Sequence, residues 1–517
     1  MTVEVTQHEQ TPLWRNATFL KWLAQIVALL AVTTFFVILG SQAVENFNRS
    51  GISFGFDWLS DPVGVDIREG IDTKPNSGAR ALAVGVVNTL RVTISGIFAA
   101  TILGIIIGIG RLSNNWIVNK ISTVYIETIR NIPLLVQMFF WSAVAITLPD
   151  LTVDDVGEYW FKASNRGFAL AWIFPSGGFW PWLTIVIAGM FVGRYVARWQ
   201  RRIQEDTGRR TYPGTAWALT VVAFGVIGWF AWPLLGFLSP VFHGIASFID
   251  DIPGIVFVIL IAIAAIGGAV WWIRSFFESR RTPAGFGKLT DDEWFRVIFV
   301  GVSGVVIAGL AFVVGGFTVD TVGGDMQTVA ELLGRAISNF FDWLGRSFDP
   351  SLQEGAPLDP QKAEVVVRGV GFINYGTSGQ VVSVPFFAVW FGVTLYTAAF
   401  IAEIVRGGVL AVPSGQTEAS QAVGLTRSQF LRLIILPQAF RIIMPPIGNQ
   451  YLNLFKNTSL GIGVAYADIV AVGITILNQT GQSLPVVLVW MAFFLTGSLV
   501  ISAIVNYYNR RMMLVEQ

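Results

Sequence analysis

Long apolar runs constrain this chain more than any other feature. They fall at about 20–40, 84–110, 131–148, 180–197, 214–236, 254–273, 294–316, 383–405, 438–472 and 485–506, with few charges inside them. A run of roughly 18 or more apolar residues is long enough to cross a bilayer. In lipid its backbone polar groups have to be satisfied within the segment, which selects helices. The expected fold is therefore all-α, a polytopic membrane protein with about ten transmembrane helices. Composition agrees, because 13% of the residues are charged, against roughly 25% in soluble domains. A net charge of +1 offers no basic surface for nucleic acid. The absence of Cys excludes disulfides and thiolate metal sites. With His8 in a tail and His243 in an expected loop as the only histidines, no His-based metal or proton-transfer site is expected.

Loop charges set an orientation. One connection carries Arg194, Arg198, Arg201, Arg202, Arg209 and Arg210, and another carries Arg274, Arg280, Arg281 and Lys288. The alternating connections are acidic or neutral, with Asp150, Asp154, Asp155 and Glu158 in one and Asp250 and Asp251 in another. The positive-inside rule puts both basic loops in the cytoplasm, together with both termini. Counting onward, 317–382 lies outside and the loop around Glu418 inside. The first run is longer than a signal-peptide core, and Glu4 and Glu9 spoil a basic start, so it is expected to stay as a span rather than be cleaved after Ser41-Gln42-Ala43. The segment 317–382, with Trp343 and Gly355-Ala356-Pro357-Leu358-Asp359-Pro360, is either a small external subdomain or a partly ordered loop. No internal repeat is visible.

Between two late apolar runs, 411–437 is polar and reads as two short helices and a turn. Glu418 is expected in the first turn of a helix rich in small residues, where a carboxylate complements the helix N-terminus. Gly424 closes that helix in a left-handed cap. Thr426 opens the next, with Gln429 at capping-box spacing. Pro437 precedes the next apolar run. Such a charged knob between spans has no lipid to bury in and is expected to project into another subunit; the bland alternative is a plain cytoplasmic loop. Glu418-Ala419, Gly424, Ile434 and Leu436-Pro437 resemble, at fixed spacing, the EAA loop of ABC importer permeases.

Further blocks carry a second resemblance. Glu127 and Arg130 are one helical turn apart and are expected to pair, and Pro133 starts an apolar run where its missing N–H does no harm. Asn88-Thr89-Leu90 and the block from Glu127 through Arg130 and Pro133 to Gln137 are similar to motifs of polar amino-acid permeases, with Asn131-Ile132 departing from the usual Gly-Thr. The Glu403–Arg406 region and Lys456-Asn457-Thr458-Ser459 look like further blocks of that family. The resemblance covers 81–148 and 383–510. It implies a MetI-like permease core split by an insertion, as in the enlarged general L-amino-acid and glutamate/glutamine/aspartate/asparagine permeases. The expected division is 1–80 as tail, first span and external loop; 81–148 as first part of the core; 149–316 as inserted transmembrane helices; 317–382 as an external segment; and 383–517 as second part of the core.

What the resemblance implies is one subunit of a type I amino-acid importer in a bacterial inner membrane. Its partners would be a second permease, two cytoplasmic ATPases that use ATP and Mg, and a periplasmic amino-acid-binding protein. This chain would bind no cofactor itself and would not be an enzyme. Lys456 is the leading substrate-pathway candidate, since a charge deep in an apolar run costs about 2.5–3.5 kcal/mol without a role. Pro445-Pro446 are expected to break its helix, and Asn449, Asn453, Thr458 and Ser459 add polar groups nearby. Pairing of Lys456 with a neighbouring helix or subunit is the structural alternative. Arg91 is expected to snorkel near an outer end, and Glu403 and Arg406 to support the coupling loop. Gly287-Lys288-Leu289 lacks the rest of a phosphate loop, and Gly51-Ile52-Ser53-Phe54-Gly55 lacks the context of a nucleophile elbow. An ion-coupled carrier is the competing class. It would tend to show repeated halves and acids deep in several spans.

Overall fold

The computed structural model describes residues 71–512 except 283–284, 287–289, 317, 321–325, 354 and 370, together with 57–59 and scattered positions from 24 to 70. The expected first span, 20–40, lies largely outside the described residues; the described positions between 24 and 49 are helical. Among the described residues, eight helices are long and apolar enough to cross a membrane, and a bent pair raises this to nine. Nine of the ten expected spans thus correspond to described helices, one of them as the bent pair, and the first lies largely outside the described residues.

The core is built on two helices, α1 (Gly78–Arg111) and α10 (Val384–Leu410). Gly96, Ala100, Gly104 and Gly108 recur every four residues and are all buried. This small-residue stripe lets the two backbones approach, as membrane helices do when no hydrophobic force drives them together. A Cβ at Gly104 would sit 2.9 Å from the Ala398 carbonyl oxygen, and one at Gly108 2.7 Å from that of Ala402. Contacts advance along both helices together, from Val393 beside Gly96 to Val405 beside Gly108, so α1 and α10 run parallel.

The broken span corrects the expected straight one at 131–148. Helix α2 (Trp116–Asn131) meets α3 (Leu134–Ile146) at 106°. At 1.5 Å per residue α3 reaches only about 20 Å, short of a hydrocarbon core of about 30 Å. Pro133 makes the bend, because it excludes the helical conformation from Ile132, which sits at φ −100° and ψ 126°. Gln137 secures it, its Nε2 donating to the carbonyls of Ile129 and Ile132, 2.9 Å each.

Helices α4 (Phe179–Thr207), α5 (Pro213–Ala231), α6 (Ser239–Asp250), α7 (Gly254–Ser279), α8 (Asp291–Gly315) and α9 (Val329–Phe348) fill the insertion. His243 is not in a loop but on α6, 2.9 Å from Asp342 of α9. Contrary to the expected division, the insertion opens with strands rather than membrane helices. Strands Gly157–Tyr159, Phe161–Ser164, Gly167–Leu170 and Trp172–Pro175 are followed, well over 150 residues later, by Leu358–Gln361, Ala363–Arg368, Phe372–Tyr375 and Gln380–Val382. These pair antiparallel across the gap, for example Gly157 with Val365, Phe168 with Val382 and Trp172 with Gln361. Ala169, Ala363, Val365, Ile373 and Tyr375 on these strands form a small core with Leu151, which precedes them in the chain. The segment 317–382 is therefore completed by 149–175, which a linear reading separates from it.

This pairing fixes the bent pair's path. The strands that follow α3 lie at the face where α10 begins. Since α1 and α10 are parallel and an even number of spans separates them in the insertion, α2 and α3 together return the chain from one face to the other.

Candidate coupling loop and polar helix face

After α10 the chain forms α11 (Ser414–Ala422) and a single turn, α12 (Arg427–Phe430). Glu418 is the fifth residue of α11, not in its first turn, and is exposed together with Ala419. Gly424 adopts φ +75° with nothing within 4 Å of a would-be Cβ. The turn is closed by the Leu425 N–H donating to the Ser420 carbonyl at 3.1 Å and that of Gly424 to Gln421 at 3.0 Å. The Thr426 N–H and hydroxyl both donate to Gln429 Oε1, at 2.9 and 2.8 Å.

The expected second small helix does not stand alone. It runs through a π turn, Leu431–Ile435, into α13 (Leu436–Asn457), making one continuous rod. Pro437 has no N–H and crowds the preceding turn, and the widened turn, in which the Leu436 N–H reaches back to Leu431, accommodates it. Ile434 is half-buried there and Leu436 and Pro437 are exposed. Val412 at the start of the knob and Ile435 near its end are buried in the main core, and Ser420 is 2% exposed. An exposed polar knob is thus gripped at both ends by the helix bundle.

The last two turns of α10, just ahead of the knob in the chain, carry an ionic cluster. Arg111 at the end of α1 pairs with Glu403 of α10, which also accepts from Arg406 at 2.6 and 3.1 Å. Glu127 of α2 does not pair with Arg130 as expected. It faces Arg111 at 3.8 Å, while Arg130 lies 4.9 Å over the Phe400 ring. The cluster ties the bent pair, α1 and α10 together near the knob.

The substrate-pathway candidates divide. Helix α13 continues through Pro445 and Pro446, so the expected break is absent there. The chain leaves the helix only at the 3-10 segment Thr458–Val464 and at Ala465, a non-Gly residue at φ +59°. Asn449, Asn453 and Lys456 are exposed and recur at helical spacing, one polar stripe on an apolar rod. No ion pair among the described residues includes Lys456. Thr458 is fully buried, its hydroxyl donating to the Phe455 carbonyl at 2.7 Å, and Ser459 donates to Lys456 O at 2.8 Å. Both serve the helix end rather than the stripe.

Asn88 and Thr89 form a buried polar knot with residues that sequence reasoning missed. Asn88 Nδ2 donates to Glu69 O at 2.9 Å and to Ala467 O at 2.8 Å, and Tyr466 Oη donates to Asn88 O at 2.8 Å. Thr89 Oγ1 accepts the Ile469 N–H at 3.1 Å. Asp468 caps α14 (Ile469–Thr480) by accepting the Ala471 N–H at 2.8 Å, and burial raises its pKa to about 7. The knot ties α1 to the irregular segment after α13 and to the loop at Glu69. An apolar chain that places two adjacent polar residues inside a span was the available signal. Among the described residues no group of three or more His, Cys, Asp or Glu is placed to hold a metal.

Residues 370–514 match the family described as "Binding-protein-dependent transport system inner membrane component". Over nearly the whole chain the sequence is similar to three curated proteins. It is 31% identical to the "General L-amino acid transport system permease protein AapQ" of Rhizobium johnstonii, over 95% of this chain and 92% of that one. It is 30% identical to the "Glutamate/glutamine/aspartate/asparagine transport system permease protein BztB" of Rhodobacter capsulatus, over 95% and 93%. It is 29% identical to the "Putative amino-acid ABC transporter permease protein YhdX" of Escherichia coli, over 97% and 96%. With its polytopic helical fold and this full-length likeness, the chain belongs to the MetI-like permeases of amino-acid ABC transporters, multi-pass proteins of the inner membrane.

Proposed function

We propose that this chain carries L-amino acids, polar or of broad range, from periplasm to cytoplasm, driven by ATP hydrolysed on separate subunits. The observation that carries the reading is the knob at 411–437: exposed at Glu418, Ala419 and Gly424, yet anchored in the core through Val412 and Ile435. A projection held this way transmits a push from outside as a rigid-body movement of α10 and α13. The ionic cluster of Arg111, Glu403, Arg406 and Glu127 passes that movement to α1 and the bent pair.

The loop charges support a cytoplasmic knob and cytoplasmic termini by the positive-inside rule, and the parallel run of α1 and α10 is consistent with that count of crossings. The proposed partners are two ATPases bound at the knob, a periplasmic amino-acid-binding protein and a second permease, with the Asn449–Asn453–Lys456 stripe facing the solute path. A polar stripe on a membrane helix is costly in lipid and is expected to face a protein or a wet path. In this reading ATP and Mg bind the ATPases and not this chain.

The test is uptake of L-glutamine into vesicles containing the assembled transporter. Uptake is expected to follow ATP enclosed in the vesicle lumen, with the amino-acid-binding protein outside, and to be indifferent to collapse of proton and sodium gradients. Uptake that follows an ion gradient in the absence of ATP would overturn the assignment.

A further inference from the structure

A cavity of about 840 Å³ lies where the inserted strands meet the permease core. The core contributes Glu69, the end of α3 at Ile146, the start of α10, and Val464 to Ala467, immediately beyond the helix that bears the polar stripe. The insertion contributes Asn165, Arg166, Arg368, Phe372 and Asn374. Neither part closes the cavity alone.

Its polar groups are incompletely matched. Glu69 has a side chain only 12% exposed. One of its carboxylate oxygens accepts the Ser383 hydroxyl; the other, Oε1, has no hydrogen-bond partner and lies 4.0 Å from Arg91. Asn165 Oδ1 is likewise buried and without a donor. Two buried acceptors in one cavity lack hydrogen-bond donors, which is unfavourable until a donor reaches them. Burial also pushes the Glu69 carboxyl above its ordinary range, against the opposing effects of Ser383 and Arg91. The cations differ. Arg166 is engaged, 3.3 Å from Asp150 and stacked 4.2 Å over Phe372. Arg368 is exposed and no carboxylate pairs with it among the described residues.

Two acceptors without hydrogen-bond donors, one of them also facing the Arg91 guanidinium, and the unpaired Arg368 suit a ligand with an ammonium group and a carboxylate. We infer that this cavity binds the zwitterionic head of an α-amino acid, its ammonium donating to Glu69 Oε1 and Asn165 Oδ1 and its carboxylate held by Arg368. Ile146, Phe372 and Val464 then face the side chain in a volume that tolerates many sizes. The insertion thereby acquires a role: it completes a receiving site at the mouth of the core. This deepens the transport reading and rests on it.

The test is equilibrium binding to the full-length chain in lipid nanodiscs with L-glutamine, N-acetyl-L-glutamine and L-glutaminamide as probes. The wild type is expected to bind L-glutamine at least tenfold more tightly than either blocked analogue. Glu69→Gln is expected to lose about tenfold in affinity and its preference over the N-acetyl compound. Arg368→Gln, at an exposed position where folding is not at stake, is expected to lose its preference over the amide. Lys362→Gln, outside the cavity, is expected to match the wild type. Unchanged L-glutamine affinity in Arg368→Gln, or no discrimination by the wild type, overturns the inference. ATP-driven L-glutamine uptake by the assembled transporter, measured in parallel, separates the two failures: if uptake persists without this binding, only the cavity's role is lost.

Discussion

The turn at Gly424 allows the coupling role to be tested with the rest of the fold left alone. Its φ of +75° is left-handed, and nothing lies within 4 Å of a would-be Cβ, so a substitution there meets backbone strain and no clash. For an L-residue the left-handed conformation costs about 1–2 kcal/mol; Asn bears it more easily than Ala, and a β-branched residue worst. At about 1.4 kcal/mol per tenfold, Gly424→Ala lowers the population of the closed turn roughly five- to thirtyfold relative to alternatives, if those are unaffected. Transport-linked ATP hydrolysis by the reconstituted transporter is therefore expected to fall in the order Gly, Asn, Ala, Val. The thermal stability of the isolated chain should fall by no more than that strain, about 1–2 kcal/mol, because Gly424 packs against nothing. A decline that tracks side-chain volume, with Asn worse than Ala, or full activity in Gly424→Val, would refute the reasoning.

Thr89→Val removes the acceptor of the buried Ile469 N–H and is expected to cost about 1–3 kcal/mol in thermal unfolding of the solubilised protein. Thr93→Val, which loses only a bond within its own helix, should cost less. Asp468 binds its proton more tightly folded, with a pKa of about 7, than at its ordinary 3.8. Stability is therefore expected to fall as pH rises from about 4 to about 7 and to level off above. At about 1.4 kcal/mol per pKa unit the ceiling is roughly 4 kcal/mol. Asp468→Asn, which keeps the cap, should flatten most of the pH dependence of the melting temperature, with a residue left by Glu69. Gly108→Leu, whose Cβ would lie 2.7 Å from the Ala402 carbonyl oxygen, is expected to destabilise by about 1–3 kcal/mol and lower the yield of folded protein. Gly407→Leu, in open space on α10, should be tolerated. Lys456→Met is expected to reduce uptake while the transporter still co-purifies as a complex; loss of assembly first would mark Lys456 as an interface residue.

The sequence by itself determined the membrane class, nearly every span, the polar knob at 411–437 and the turn at Gly424, since each follows from local rules: apolar length, loop charge, and the backbone freedom of one glycine. Local rules failed where a residue's effect depends on its surroundings. Pro133 read as a harmless helix start and is a bend of 106°, whereas Pro445 and Pro446 read as a break and lie inside an unbroken helix. Glu127 had a partner at the right spacing in Arg130, and packing gave it Arg111 instead. Only the tertiary structure could join strands separated by the insertion's helices, because antiparallel pairing carries no sequence signal at that range. For the same reason the knot of Asn88, Thr89, Tyr466 and Asp468 and the cavity at Glu69 and Arg368 exist only once the chain has folded: their members come from segments hundreds of residues apart, and proximity in space, not spacing in the chain, makes them a site.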